Sequence, residues 1–168
     1  SDVQLQILHR QIAQRMASNS HYGEKAAIIA NHYLLGGDKK QAFDWLLQAA
    51  DHAWILGAKA ETHNAYQQAE KLLDSPPNGF FKEEEILKLY QEWGEFAYQS
   101  NQSDLLEQTG IKLQYYGNKA KNPSLIGSAK ILLANACLLR LEFDTALELI
   151  HSAIENFEMI NDQPGLIT

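Results

Sequence analysis

One periodicity runs through this chain. Apolar or small residues recur three and four apart in eight successive windows, and the strict apolar-polar alternation of a half-buried strand is absent. The windows cover residues 2–18, 24–36, 39–56, 58–73, 81–100, 104–120, 123–140 and 143–160. Their stripes are Leu5, Leu8, Ile12 and Met16 in the first window, then Ala26, Ile29 or Ala30, Tyr33 and Leu34 in the second. Ala42, Leu46, Ala49, Ala53 and Leu56 mark the third; Ala58, Thr62, Ala65 or Tyr66, Ala69 and Leu72 mark the fourth. The fifth carries Ile86, Tyr90, Trp93 and Ala97, and the sixth Leu106, Thr109, Leu113 and Tyr116. Leu125, Ala129, Leu132 and Ala136 form the seventh, and Phe143, Ala146, Ile150, Ala153, Phe157 and Ile160 the eighth. Each predicts an amphipathic helix. The fold class is therefore all-α, one domain over 1–168, and with 45% hydrophobic residues the chain is long enough to bury a core.

Turn and cap residues fall at the limits of these windows. Gly36, Gly37, Gly57 and Gly117 are placed for left-handed C-terminal caps. Asp38 is placed to cap the third helix, Asp104 and Glu107 have the spacing of a capping box, and Asn122 precedes a first-turn proline, Pro123. "DSPPNGFF", residues 74 to 81, predicts a longer turn, read as a joint between repeats, before Glu83, Glu84 and Glu85, whose charges suit a helix N-terminus. The final "DQPGLIT" looks like the start of a ninth helix.

Helices in series with short connections raise the question of repetition. With Gly94 set on Ala134, Tyr90, Trp93, Gly94 and Ala97 meet Lys130, Leu133, Ala134 and Cys137, while Leu106 and Leu113 meet Ala146 and Ala153. An earlier copy has Leu46, Ala49, Ala50 and Ala53, then Thr62, Tyr66 and Ala69. A second register, Ala26, Ile29, Ala30 and Tyr33 followed by Ala42, Leu46 and Ala49, also fits. Small residues such as Ala30, Gly94 and Ala134 would let helix backbones approach, with Tyr66, Trp93 and Phe157 filling the space beside them.

This pattern of large residue, small residue and aromatic on one helix, then alanine-rich positions on the next, resembles the tetratricopeptide repeat. The resemblance implies an α-solenoid of antiparallel helix pairs coiled into a right-handed superhelix. Lys130, Leu106 and Gly110 depart from the family pattern, and the 40-residue step exceeds the usual period of about 34. "LHRQIAQRM", with "AIIANHYLLGGDKKQAFDWLLQAADHA", looks like the repeat region of bacterial multidomain signal-transduction ATPases linked to nucleotide cyclases, kinases or transcription regulators. That resemblance implies a sensor or scaffold segment of a larger chain, and the absence of an initiating Met fits an excised piece.

Motifs for chemistry are sparse. "GGDKK" lacks the second glycine and the Ser or Thr of a phosphate loop and reads as a helix turn. The six histidines never fall three or four apart, so no helix carries a metal-binding pair, and the single Cys137, inside "ILLANACLL", reads as a small buried hydrophobe. Glu83 to Glu85 point in successive directions on a helix, which suits its dipole better than acid-base catalysis. No catalytic residue, cofactor or metal ligand is expected. Trp45, Trp54 and Trp93 read as packing residues. Fourteen Lys and Arg against twenty-one Asp and Glu give a net charge of −7, with no basic cluster for phosphates, so nucleic acid and anionic membrane are poor partners. No 18-residue apolar run appears and "SDVQLQ" does not open like a signal peptide, so a cytoplasmic setting is expected.

Binding remains. In the family, outward positions of the first helices line the concave face, and the resemblance carries this over to Asn31 in one register and to Asp51, Trp54, Gln91, Glu95, Tyr98 and Asn135 in the other. The implied partner is a protein or peptide, or a neighbouring domain of the parent chain. The eighth window, with Leu147, Leu149 and Ile154 beside its stripe, predicts an apolar patch suited to a homodimer.

Overall fold

The structure, a computed structural model, describes residues 2–19, 23–74 and 81–161. Among them are eight α-helices and no strand: α1 (Asp2–Asn19), α2 (Ala26–Leu35), α3 (Lys39–Ile55), α4 (Lys59–Leu73), α5 (Glu83–Gln99), α6 (Ser103–Ala120), α7 (Pro123–Leu139) and α8 (Phe143–Asn161). The helices group into two compact units, Ser1–Phe81 and Lys82–Thr168. Of the turn expected at 74–81, residues 75–80 lie outside the described residues, as does the ninth helix expected at 162–168.

In the first unit each helix packs on the next. The predicted stripe of α2 is buried at Ala26, Ile29, Ala30 and Tyr33, and α4 buries Thr62, Ala65, Tyr66, Ala69 and Leu72. Between them α3 buries Ala42, Phe43, Leu46 and Ala50, and the Phe43 ring meets that of Phe81 at 4.8 Å. Burying one such large side chain contributes about 1.5–3 kcal/mol. Thr62, fully buried, satisfies its hydroxyl locally by donating to the Ala58 carbonyl at 2.9 Å.

The second unit also packs in sequence order, and here α5 touches α7 as well. Tyr90, fully buried, lies 6.4 Å from the Trp93 ring and 6.0 Å from the Tyr116 ring. Gly94 answers the question of close approach: a β-carbon there would sit 2.5 Å from a methyl of Leu132 on α7, so the missing side chain is the seat for that leucine. On α6, Gly110 faces Leu133 and Gly117 faces Ile126, two contacts that run in opposite directions along the two helices and so fix α6 and α7 as an antiparallel pair.

Several sequence-based expectations are corrected. Leu5 and Leu8 are about half exposed; α1 instead sets Arg10 and Gln6 against Gly36, where a β-carbon would lie 3.1 Å from the Arg10 backbone nitrogen, and buries Ala13. Gly37 and Gly57 do adopt the left-handed conformation, at φ 75° and 73°, but Gly36 is right-handed. Gly117 lies inside α6, which runs on to end at Lys121, φ 52°. Its glycine serves packing, a need that looks the same as a cap in one dimension. Asp104 and Glu107 do not form a capping box, since Gln102 is the N-cap; both carboxylates accept from the Arg140 guanidinium, at 2.7 and 2.8 Å. Phe157 fills space at Gly127, where a β-carbon would lie 2.8 Å from its ring.

Other caps are as read. Asp38 accepts from the Gln41 amide at 3.1 Å, and Asn122 accepts from the amides of Ser124 and Leu125 at 2.8 and 3.3 Å. Glu83, Glu84 and Glu85 occupy the first turn of α5, where the Lys82 amide donates to Glu85 at 2.8 Å.

Candidate functional site

One concavity with more than one wall lies within the first unit and has a volume of about 340 Å3. Its floor is the α3 stripe itself: Leu46, Ala49, Ala53 and Leu56. The stripe is deeply buried at Leu46 and ends with Leu56 69% exposed. One wall is the start of α2, with Glu24 and Ala27; the other is α4, with Glu61, Asn64 and Gln68. In the second unit the corresponding flanking helices, α5 and α7, pack on each other through Gly94 and Leu132, whereas α2 and α4 make no comparable contact among the described residues. That difference leaves the floor of α3 open.

Local geometry sets the level of each wall. Equal steps back from the Gly57 turn bring Ala53 level with Glu61 and Ala49 level with Ala65. At the other wall a β-carbon on Gly23, φ +87°, would lie 2.5 Å from the His52 ring, so the chain entering α2 presses against His52. Glu24 and Glu61 therefore stand on opposite walls at the level of His52 and Ala53. Neither has an ion-pair partner among the described residues, and no Lys or Arg lines the groove. The Gln68 amide donates to Asn64 at 3.2 Å, which orients two polar groups along the α4 rim.

A second concavity, about 410 Å3, is lined among the described residues by Gln11, Gln14, Arg15 and Ser18 of α1.

The residues expected to bind partners fall elsewhere. In the first unit Asn31 is exposed on α2, and Asp51 and Trp54, three apart on α3, are half-buried; none lines the groove. In the second unit Gln91, Glu95 and Tyr98 form one exposed stripe on α5, with Tyr98 43% exposed. Glu95 accepts from the Gln99 side chain one turn on. Asn135 is half-buried on α7, the helix that packs against α5. The groove was missed because its floor has the same spacing as a core stripe.

Two histidines that are distant in sequence meet between α1 and α2, with Nδ1 of His9 and Nδ1 of His32 2.9 Å apart. The ring centroids are 5.1 Å apart, so the two ring radii account for most of the difference and the nitrogens face each other nearly head-on. This is the geometry of a shared N–H···N bond rather than of two lone pairs converging on an ion. Among the described residues no group of three or more His, Cys, Asp or Glu is placed to hold a metal, and no helix is long and apolar enough to cross a membrane.

Cys137 is half-buried, and burial first, then a hydrogen bond with Glu142, pushes its thiol above the usual range. A thiol held in its protonated form is a weak nucleophile.

No family model matches the chain, and no curated protein or solved structure matches it.

Proposed function

We propose that the chain is a non-catalytic protein-interaction module built from stacked helix pairs, of the kind its tetratricopeptide-like pattern implies, serving a larger signalling ATPase or transcription regulator in the bacterial cytoplasm. The open groove over α3 carries this reading, since it exposes a strip of small and aliphatic residues with polar groups along both rims. Such a surface offers apolar contact area at the centre and hydrogen-bonding groups at the edge, the division found in protein interfaces. The Gln91, Glu95 and Tyr98 stripe on α5 supplies a second polar and aromatic surface. Lys and Arg are outnumbered by acids, which favours proteins over nucleic acid as partners.

The test is capture of partners from the source cell by the chain, set beside two variants, Ala53→Arg in the groove and Glu95→Lys with Tyr98→Ala on α5. Loss of a specific partner in either variant, with helicity unchanged, supports the module. Identical capture by all three counts against it.

A second reading is favoured by one observation: Phe143, Leu147 and Ile154 are 61%, 54% and 46% exposed and lie along one side of α8. An apolar stripe of this kind suits self-association or a contact with the parent chain. Sedimentation of the chain and of Leu147→Glu separates the cases, because a concentration-dependent dimer abolished by the substitution would place self-assembly first.

A further inference from the structure

We infer that the groove of the first unit is selective for a basic segment, an arginine or lysine side chain set among small aliphatic residues of a partner protein. This rests on the interaction reading above and specifies what the groove takes.

The argument starts from what the lining holds and lacks. Its floor, Ala49 and Ala53 between Leu46 and Leu56, is apolar and nearly free of projecting side chains. A long alkyl stem can lie along such a strip while its charged end stays at the rim. At the level of Ala53 the rim carries Glu24 on one side and Glu61 on the other, both exposed and both without an ion-pair partner among the described residues. Among the described residues that line the groove, His52, half-buried against Gly23, is the one other titratable group, and none is Lys or Arg. An anionic guest would meet two carboxylates and no lining cation among the described residues, whereas a guanidinium would be drawn to both rims. Asn64 and Gln68 then lie further along the α4 rim, placed to hydrogen-bond the backbone of a guest that continues beyond its basic residue. The volume, about 340 Å3, is at the small end of binding pockets and suits one long side chain with its flanking residues rather than a whole folded domain. The net charge of −7 acts in the same direction at longer range by drawing cationic partners to the surface.

The rim carboxylates are solvent-exposed, so their contribution is selective rather than large. Two exposed pairs at ordinary strength correspond to about a fivefold change in affinity, weakened by added salt.

Three capped peptides of equal length, alternating Ala and Leu around a central Arg, Gln or Glu, serve as probes. Amide shifts of Ala49, Ala53 and Ala65 report groove occupancy, and titration reports affinity. We expect the Arg peptide to move these amides, to bind about fivefold more weakly to Glu24→Gln with Glu61→Gln, and to lose the groove altogether in Ala53→Arg, whose own side chain takes the guest's place. Circular dichroism confirms that the variants stay helical. Equal binding of all three peptides at the groove overturns the selectivity and leaves the interaction module standing. Absence of shifts at these amides with every peptide removes the groove as a binding surface, and with it this inference, while the α5 stripe remains open to its own test.

Discussion

A β-carbon on Gly117 would lie 2.9 Å from the backbone nitrogen of Ile126, closer than the 3.2 Å that a β-carbon on Gly110 would have from the nitrogen of Leu133. Replacing a helix-interior glycine by alanine ordinarily gains about 0.5–1 kcal/mol. Here a backbone atom cannot swing aside, so overpacking dominates and Gly117→Ala should lose about 1–3 kcal/mol. Gly94→Ala should be closer to neutral, because the atom it meets at 2.5 Å is the end methyl of Leu132, free to change rotamer. Urea unfolding of the two variants decides; a stabilised Gly117→Ala would mean that the helices stand further apart than described.

Asn122 caps α7 and also donates to Glu83 at the start of α5. Asn122→Ala should cost about 1 kcal/mol, the ordinary value of an N-cap. Asn122→Asp keeps the acceptor but removes the donor and sets a carboxylate against Glu83, so it should recover only part of the loss. Recovery to the wild-type midpoint would show that the link to Glu83 contributes nothing.

Two groups predict alkaline sensitivity. The Tyr33 phenol is raised above its usual range by burial and then by Asp38, and the Cys137 thiol by burial and then by Glu142. In both the folded value lies above the unfolded one, so the neutral form favours the fold. That contribution is complete at neutral pH and is lost as pH rises through the raised folded values. The melting temperature should fall between about pH 8 and about pH 11, the span in which thiols and phenols ionise, and Tyr33→Phe should flatten the upper part of that fall. An unchanged profile in Tyr33→Phe would assign the loss elsewhere.

Arg140 joins the end of α7 to the start of α6 through Glu107 and Asp104, and those two bonds hold the guanidinium firmly in its charged form. Asp104 is 88% exposed and Glu107 44%. Glu107→Gln should therefore lower the melting temperature more than Asp104→Asn, and both effects should shrink in high salt. A larger loss from Asp104→Asn would reverse the order that exposure sets.

Much of the fold was legible because each helix carries its own signal. Stripes such as Tyr90, Trp93 and Ala97 or Thr62, Tyr66 and Ala69 are buried as their spacing predicts, and the boundaries agree to within a residue or two. What could not be read is which helix covers which stripe. Leu46, Ala49, Ala53 and Leu56 have one spacing and all line the groove, yet the first two are buried while Leu56 is 69% exposed. The meeting of His9 and His32 and the hold of Arg140 on Asp104 and Glu107 depend on contacts far apart in sequence that no local pattern announces. Gly110 and Gly117 were visible as glycines, but their seven-residue spacing matters only against Leu133 and Ile126 on another helix.

That last match also bears on the order of assembly. The α6–α7 hairpin joins residues close in sequence through the short Lys121–Asn122 turn, so bringing its two arms together closes only a small loop. Its two glycine seats accept Leu133 and Ile126 together or not at all, in the manner of a key cut with two notches, and a slip of the arms by one residue would place side chains where there is no space for them. Early, register-exact formation of this hairpin would give α5 and α8 a finished template on which to dock. Its amides should then exchange with solvent more slowly than those of α1, whose Leu5 and Leu8 remain in water.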